Sequence, residues 1–278
     1  MGKSSLTLLP RGHVARRRFG QHFLVDRHYI ERIVAALDPQ LDDNLVEIGP
    51  GLGALTGPLL ERVKRLAVIE IDRDLAARMA AEHPAERLTL YNADALDFDF
   101  GSLGTNLRVV GNLPYNISSP LLFHLAQYEA TLFDLTLMLQ REVVERMGAA
   151  PATPAYGRLS VMLQVRFRIE RLFTVPPGAF HPAPQVDSAV VRLTPLRDAR
   201  PSLADEALFA RIVAAAFGQR RKTLRNALKT LASEADLERA GIAPGARGET
   251  LSVADFVRLA NALNARALSA ALACSRSR

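Results

Sequence analysis

Short apolar, β-branched runs alternate with stretches of helical spacing along residues 27–194, the order expected of strands and crossover helices in a parallel sheet. Ile30, Ile33, Val34 and Leu37 share one helix face and predict a helix over about 27–37, with Asp26 as its N-cap. Leu45–Ile48, Leu66–Glu70, Arg87–Tyr91 and Leu107–Gly111 are nearly all apolar, as strands covered on both faces are, and predict four buried strands. Residues 134–140, 166–175 and 186–194 predict three more. Pro195–Pro201 reads as a linker, and beyond it the period turns helical, with Ile212, Val213, Ala216, Leu224, Leu228 and Leu231 on one face. Arg221, Arg225 and Lys229 recur every four residues and predict a cationic stripe along that helix. Ser252 caps a last helix, and the Ala/Ser/Arg tail has little to pack and is expected to fray. The expected organisation is an N-terminal arm over 1–25, an α/β domain over 26–198, an all-helical domain over 199–265 and a frayed tail over 266–278.

The predicted strands end in residues suited to a nucleotide. The first runs into Glu47-Ile48-Gly49-Pro50-Gly51-Leu52-Gly53, a Gly-rich turn that lets backbone approach a ligand ahead of a helix N-terminus. The second ends in Glu70, where a carboxylate can accept both hydroxyls of a ribose, and the third leads to Asp94, placed to accept from an adenine amine. The fourth stops at Asn112-Leu113-Pro114-Tyr115. Asn112 offers a carbonyl oxygen, Pro114 stiffens the turn and holds Leu113 extended, and Tyr115 adds a flat face. Acceptors beside an aromatic plane suit the amino edge of adenine. Gly49, Gly51 and Ala54, with Glu70 downstream, also match the dinucleotide fingerprint. Two features argue against a nicotinamide cofactor. Glu47 stands where a carboxylate can hold the amino acid end of S-adenosylmethionine, and hydride transfer has no need of the acceptor-rich turn.

Composition narrows the partners. The net charge is +6, but residues 1–22 carry +5, residues 201–278 carry +5 and residues 23–200 carry −4. Basic segments at both ends of a mildly acidic body favour a polyanion. Arg16, Arg17 and Arg18 adjoin Phe19 and Phe23, an interleaving of charge and flat side chains that suits RNA. The run Arg220, Arg221, Lys222, Arg225 and Lys229 is the second candidate for RNA phosphates. No apolar run approaches the ~18 residues a membrane helix needs. The lone Cys274 excludes an intrachain disulfide and fits a reducing compartment, so a cytoplasmic location is expected. No metal site, DNA partner or obligate dimer is indicated, and a monomer is expected.

Seven stretches in order carry a resemblance: Arg18–Leu24, Val46–Gly53, Val68–Asp72, Gly111–Ser118, Ala155–Ser160, Phe180–Val190 and Gln219–Asn226. The chain resembles the small-subunit type of ribosomal-RNA adenine dimethyltransferase, the family associated with kasugamycin sensitivity. The resemblance implies the Rossmann-like seven-stranded sheet of S-adenosylmethionine-dependent methyltransferases, its last strand antiparallel, with a small C-terminal helical domain. It implies that His22, Leu24, Gly49, Glu70, Asp94 and Asn112 form the cofactor pocket, to which the reading of the strand ends adds Glu47 and Gly51, and that Phe180 is a second aromatic wall of the target-base site read at Asn112, Leu113, Pro114 and Tyr115. Many relatives have Asn in place of His22. The implied substrate is two adjacent adenines in the 3′-terminal hairpin loop of 16S rRNA, modified during small-subunit assembly. The alternatives are a large-subunit rRNA dimethylase of the macrolide-resistance type and a non-catalytic RNA-binding assembly factor.

Overall fold

The computed structural model describes residues 21–219 and 221–276. In chain order the strands are β1 (Phe23–Leu24), β2 (Asn44–Ile48), β3 (Leu66–Ile69), β4 (Leu88–Tyr91), β5 (Leu107–Asn112), β6 (Leu132–Gln140), β7 (Phe167–Val175), β8 (Phe180–His181) and β9 (Ser188–Pro195). The helices are α1 (Arg27–Leu37), α2 (Thr56–Leu60), α3 (Arg73–Glu82), α4 (Ser118–Leu125), α5 (Arg141–Met147), α6 (Arg158–Gln164), α7 (Glu206–Gly218), α8 (Leu224–Ala227), α9 (Glu234–Arg239) and α10 (Val253–Arg276). Seven strands form one sheet in the order β4-β3-β2-β5-β6-β9-β7, and β1 pairs antiparallel with β8 in a separate ribbon. The pairings from β4 to β6 are parallel, while β9 runs antiparallel to β6. The strands expected from the apolar runs are all present, and the antiparallel last strand implied by the resemblance is β9.

The chain passes from β2 to β3 on one side and returns to β5 on the other. That reversal opens a crevice at the carboxyl ends of the strands, where doubly wound sheets bind ligands. Register sets what meets there. Ile48 pairs with Ile69 and with Gly111, so Gly49, Glu70 and Asn112 leave the sheet side by side. Gly111 is required by this closeness, since a Cβ on it would lie 2.6 Å from the Ile48 carbonyl oxygen.

At the opposite end of β5, Arg108 ties the sheet to α1. Its guanidinium donates to both Asp134 carboxylate oxygens (2.9 and 2.7 Å), to Asp43 (2.7 Å) and to the Leu37 and Asp38 carbonyls (2.6 and 3.1 Å). The two carbonyls belong to the C-terminus of α1, which closes with Asp38 in the left-handed region. The start of α1 is as expected, with the Asp26 side chain accepting from the His28 N–H. Leu37, Leu45, Leu59, Leu66 and Val68 form the centre of this unit's core.

Two compact units divide the chain, but not as the sequence suggested. The first reaches to Val144 and takes back Arg168–Pro195; the second is Glu145–Phe167 together with the chain from Leu196. The expected boundaries, 26–198 and 199–265, are corrected by residues 145–167. Tyr156, Val161 and Val165 are buried with Phe209, Ile212 and Phe256, and the Tyr156 hydroxyl donates to the Leu251 carbonyl at 2.9 Å. The expected single stripe of Arg221, Arg225 and Lys229 is also corrected. The α7 helix ends at Gly218, Gln219 leaves helical geometry, and α8 restarts after an extended Thr223. The Leu224 and Arg225 N–H groups bond the Ala246 and Pro244 carbonyls, so the backbone leaves a continuous helix to bury Leu224 and Leu228. Arg221, Lys222, Arg225 and Lys229 remain exposed. Ser252 caps α10 as expected, accepting from the Asp255 N–H while Asp255 accepts from the Ser252 N–H. That helix continues to Arg276, through the stretch expected to fray. Arg16, Arg17, Arg18 and Arg220 lie outside the described residues.

Candidate active site

The carboxyl ends of β2, β3 and β5 and the loop after β4 enclose a cavity lined by His22, Leu24, Glu47, Gly49, Gly51, Glu70, Asp94 and Asn112–Tyr115. Of the expected site residues in the described chain outside the cationic run, all but Phe180 meet in this one space. Phe180 is buried in the core, 4% exposed, paired with Leu24 across the β1–β8 ribbon, and it does not line the cavity.

The glycine turn works through its backbone. Gly49, Gly51 and Gly53 all have positive φ (64°, 58° and 82°), a conformation that side chains with a Cβ disfavour. A Cβ on Gly51 would also meet the Phe23 ring at 3.0 Å, so the turn passes tightly beneath the segment that carries His22. The turn is latched from below by Glu70, whose Oε2 accepts from the Gly51 N–H (3.2 Å) and whose Oε1 accepts from the Asp72 N–H (2.8 Å). Burial raises the Glu70 carboxyl above its ordinary pKa, and these backbone donors pull it partway back. Asn92 donates to the Glu70 carbonyl at 2.7 Å and so binds the β4 loop to the end of β3. Asp94 uses Oδ1 to accept from the Leu96 N–H at 2.9 Å, a turn that orients the carboxylate.

Glu47 is buried beneath the turn, and its Oε2 accepts from the Thr56 hydroxyl at 2.7 Å. Burial pushes its pKa up to about 7; the Thr56 bond lowers it and the nearby Glu70 charge raises it further. Near neutral pH this group responds to any positive charge brought into the cavity.

The turn after β5 presents acceptors. Asn112 Nδ2 donates to the His22 carbonyl at 2.9 Å. A carbonyl can only accept, so the amide orientation is determined and Oδ1 is turned away from that bond. The Leu113 N–H donates to the Met138 carbonyl, and the Pro114 carbonyl accepts from the Ile117 N–H and the Ser118 hydroxyl. Among the described residues, no protein donor engages Asn112 Oδ1 or the Leu113 carbonyl. Beside them the Tyr115 ring stacks on His22, with centroids 5.6 Å apart and planes at 28°. The Tyr115 hydroxyl lies 2.8 Å from the Ser188 hydroxyl, and burial raises its pKa. His22 Nδ1 donates to the Pro182 carbonyl at 2.8 Å. His22 thus contributes both a side-chain and a main-chain contact.

Sequence reasoning missed Thr56, Ile71, Asn116 and Ser188. Ile71 lines the cavity and is 44% exposed, unusual for a large aliphatic residue. Its position directly after Glu70 was the available signal. Thr56 and Ser188 are small hydroxyls whose partners lie 9 and 73 residues away, and no local pattern marks them.

The family model for ribosomal RNA adenine dimethylase matches residues 12–265. Ribosomal RNA small subunit methyltransferase A of Aromatoleum aromaticum is 59% identical over 254 residues, covering 91% of this chain and 96% of that protein. The protein of the same name from Chromobacterium violaceum is 58% identical over 253 residues, covering 91% and 97%. Among solved structures, a dimethyladenosine transferase from Plasmodium falciparum superposes with a TM-score of 0.77 at 25% identity, over 88% of this chain and 98% of that one. The 23S rRNA methyltransferase ErmE gives 0.64 at 29% identity, over 87% and 99%. The chain belongs to the ribosomal RNA adenine dimethylase family.

Proposed function

We propose that this chain dimethylates the exocyclic amino groups of two adjacent adenines in the 3′-terminal hairpin loop of 16S rRNA, with S-adenosylmethionine as methyl donor. The observation that carries the reading is a pair of acceptors without a protein donor among the described residues, Asn112 Oδ1 and the Leu113 carbonyl, beside the Tyr115 ring in the lining of the cavity.

The donor set fits the cofactor. Glu70 and Asp94 offer carboxylate oxygens for ribose hydroxyls and an adenine amine. Gly49 and Gly51 hold backbone conformations that keep the turn free of side chains. Glu47 supplies the negative charge that a methionine ammonium requires. Bound there, S-adenosylmethionine supplies an electrophilic methyl on a sulfonium sulfur.

The chain's own residues then address the weakness of the nucleophile. The adenine amino lone pair is delocalised into the ring. Asn112 Oδ1 and the Leu113 carbonyl accept its two hydrogens and favour a more tetrahedral nitrogen, while Tyr115 stacks on the base. This is positioning with electrostatic stabilisation, and no strong base is needed because the proton can leave to water. The target must leave its stack or lie in a loop to reach the cavity. Arg221, Lys222, Arg225 and Lys229, all exposed, are assigned to RNA phosphates.

The small-subunit reading is favoured over the large-subunit one by the 59% identity to a small-subunit methyltransferase, against 29% to ErmE. The test uses small subunits lacking dimethyladenine, large subunits and naked 16S rRNA. Each is incubated with the protein and S-adenosylmethionine, then digested for nucleoside mass spectrometry. Dimethyladenosine from small-subunit substrates alone is expected. Dimethyladenosine from large subunits would move the chain to the resistance branch. Binding without methylation would leave an assembly factor.

A further inference from the structure

Ser188 opens β9 opposite Gln140 of β6, fully buried, and is followed by Ala189, Val190 and Val191, also fully buried. A hydroxyl in such surroundings is costly unless it is bonded. Among the described residues its side-chain partner is the Tyr115 hydroxyl, 2.8 Å away. The Tyr115 ring is held on one face by His22. His22 is in turn anchored through Nδ1 to the Pro182 carbonyl and through its own carbonyl to Asn112. An aromatic side chain on a turn would ordinarily keep torsional freedom. Here its tip and one face are both tied, each to a different chain segment.

We propose that Ser188 is a positioning residue that sets the tilt of the Tyr115 ring, and that this tilt governs the second methyl transfer more than the first. The inference rests on the adenine-dimethylating reading above. In each transfer the N6 lone pair forms the new N–C bond, the S–C pair returns to sulfur, and an N6 proton leaves to water. An unmodified amino group has two hydrogens for two acceptors, Asn112 Oδ1 and the Leu113 carbonyl. After the first transfer one hydrogen remains, and one acceptor loses its donor. The monomethylated base is then oriented by a single hydrogen bond and by stacking on Tyr115. Loosening the ring therefore costs the second step more.

The experiment compares the wild-type protein with Ser188→Ala, Tyr115→Phe and the double variant on small subunits lacking dimethyladenine. Time courses of monomethyl- and dimethyladenosine are followed by mass spectrometry, with thermal melting alongside. Each single variant is expected to slow the second transfer about two- to tenfold, the range for one lost hydrogen bond, with a smaller effect on the first. Monomethyladenosine then accumulates, and the double variant matches the single ones because both remove the same bond. A fall in total methylation with the wild-type ratio of the two products would overturn the proposal, as would additive effects in the double variant. Should Ser188→Ala fail to fold, Tyr115→Phe breaks the same bond from the turn side and decides by the same ratio. A wild-type protein that makes no dimethyladenosine would defeat the proposed function itself, a result separate from any effect of Ser188.

Discussion

Gly111→Ala is the sharpest test of how the sheet places the turn after β5 that is proposed to hold the target base. The added methyl carbon would stand 2.6 Å from the Ile48 carbonyl oxygen and 3.1 Å from Leu113 Cδ2. The first neighbour is backbone at the last parallel pair of β2 and β5 and cannot rotate away as a side chain could. Relief requires β5 to move from β2 by several tenths of an ångström at the residue before Asn112. Overpacking of this kind costs about 1–3 kcal/mol of stability. The larger effect falls on chemistry, because Asn112 hangs from the displaced strand and its 2.9 Å bond to His22 sets the direction of Oδ1. A displacement approaching 1 Å of a positioning group costs up to about 10²-fold in rate. The variant is expected to melt a few degrees lower, to retain S-adenosylmethionine binding within a few-fold, and to lose about tenfold to a hundredfold in kcat. Gly218→Ala is the control, since a Cβ there meets nothing within 4 Å at the exposed end of α7. Wild-type kcat and melting temperature in Gly111→Ala would refute the claim that strand contact at Ile48 positions the turn.

Four further outcomes follow from the charges. Glu47 has a folded pKa of about 7 against an ordinary 4.5, so the folded state holds its proton more tightly. The resulting penalty is absent below about pH 4.5, grows through pH 7 and amounts to about 3 kcal/mol above it. Glu47→Gln should therefore melt higher than wild type at pH 8 but not at pH 4.5, and calorimetry at both values checks the sign. The same substitution should weaken S-adenosylmethionine binding at pH 8, read by titration calorimetry. Arg108→Met leaves the nearly buried Asp134 carboxylate without its bidentate partner and should cost about 3–5 kcal/mol in urea unfolding, while Asp134→Asn added to it should recover part of the loss. Removing Arg221, Lys222, Arg225 and Lys229 together should lower the slope of log affinity against log salt by about 3 on 16S rRNA fragments, if each meets one phosphate. An unchanged slope would take these four residues out of the RNA interface.

Much of this protein is legible in its sequence. The apolar runs marked the central strands of the large sheet, because a strand covered on both faces is apolar nearly throughout; the edge strand β7, with Arg168, Glu170 and Arg171 exposed, was marked by β-branched and aromatic residues between its charges. The strand ends marked the lining of the cavity, because a doubly wound sheet gathers whatever follows its strands into one crevice. Gly49, Glu70, Asp94 and Asn112 could thus be grouped although they span 64 positions of the chain. Ser252 and Asp26 were readable as caps, since a cap bonds within three residues of itself.

What depended on distant partners was not readable. The spacing of Arg221, Arg225 and Lys229 fits one helix, yet Leu224 and Arg225 give their N–H groups to Ala246 and Pro244, and the helix breaks. Residues 145–167 look like part of the α/β domain by position, but Tyr156 finds its core and its hydrogen bond among residues 209–256. The aromatic at Phe180 could serve a ligand or a core, and packing beside Leu24 put it in the core. Ser188 acquired a role only when folding brought it to a tyrosine 73 residues away. Local sequence determined which segments are strands and which residues end them. Tertiary contact alone decided where helices break, which segments share a core and which buried hydroxyl meets which ring, because those free energies come from partners that no neighbouring residue specifies.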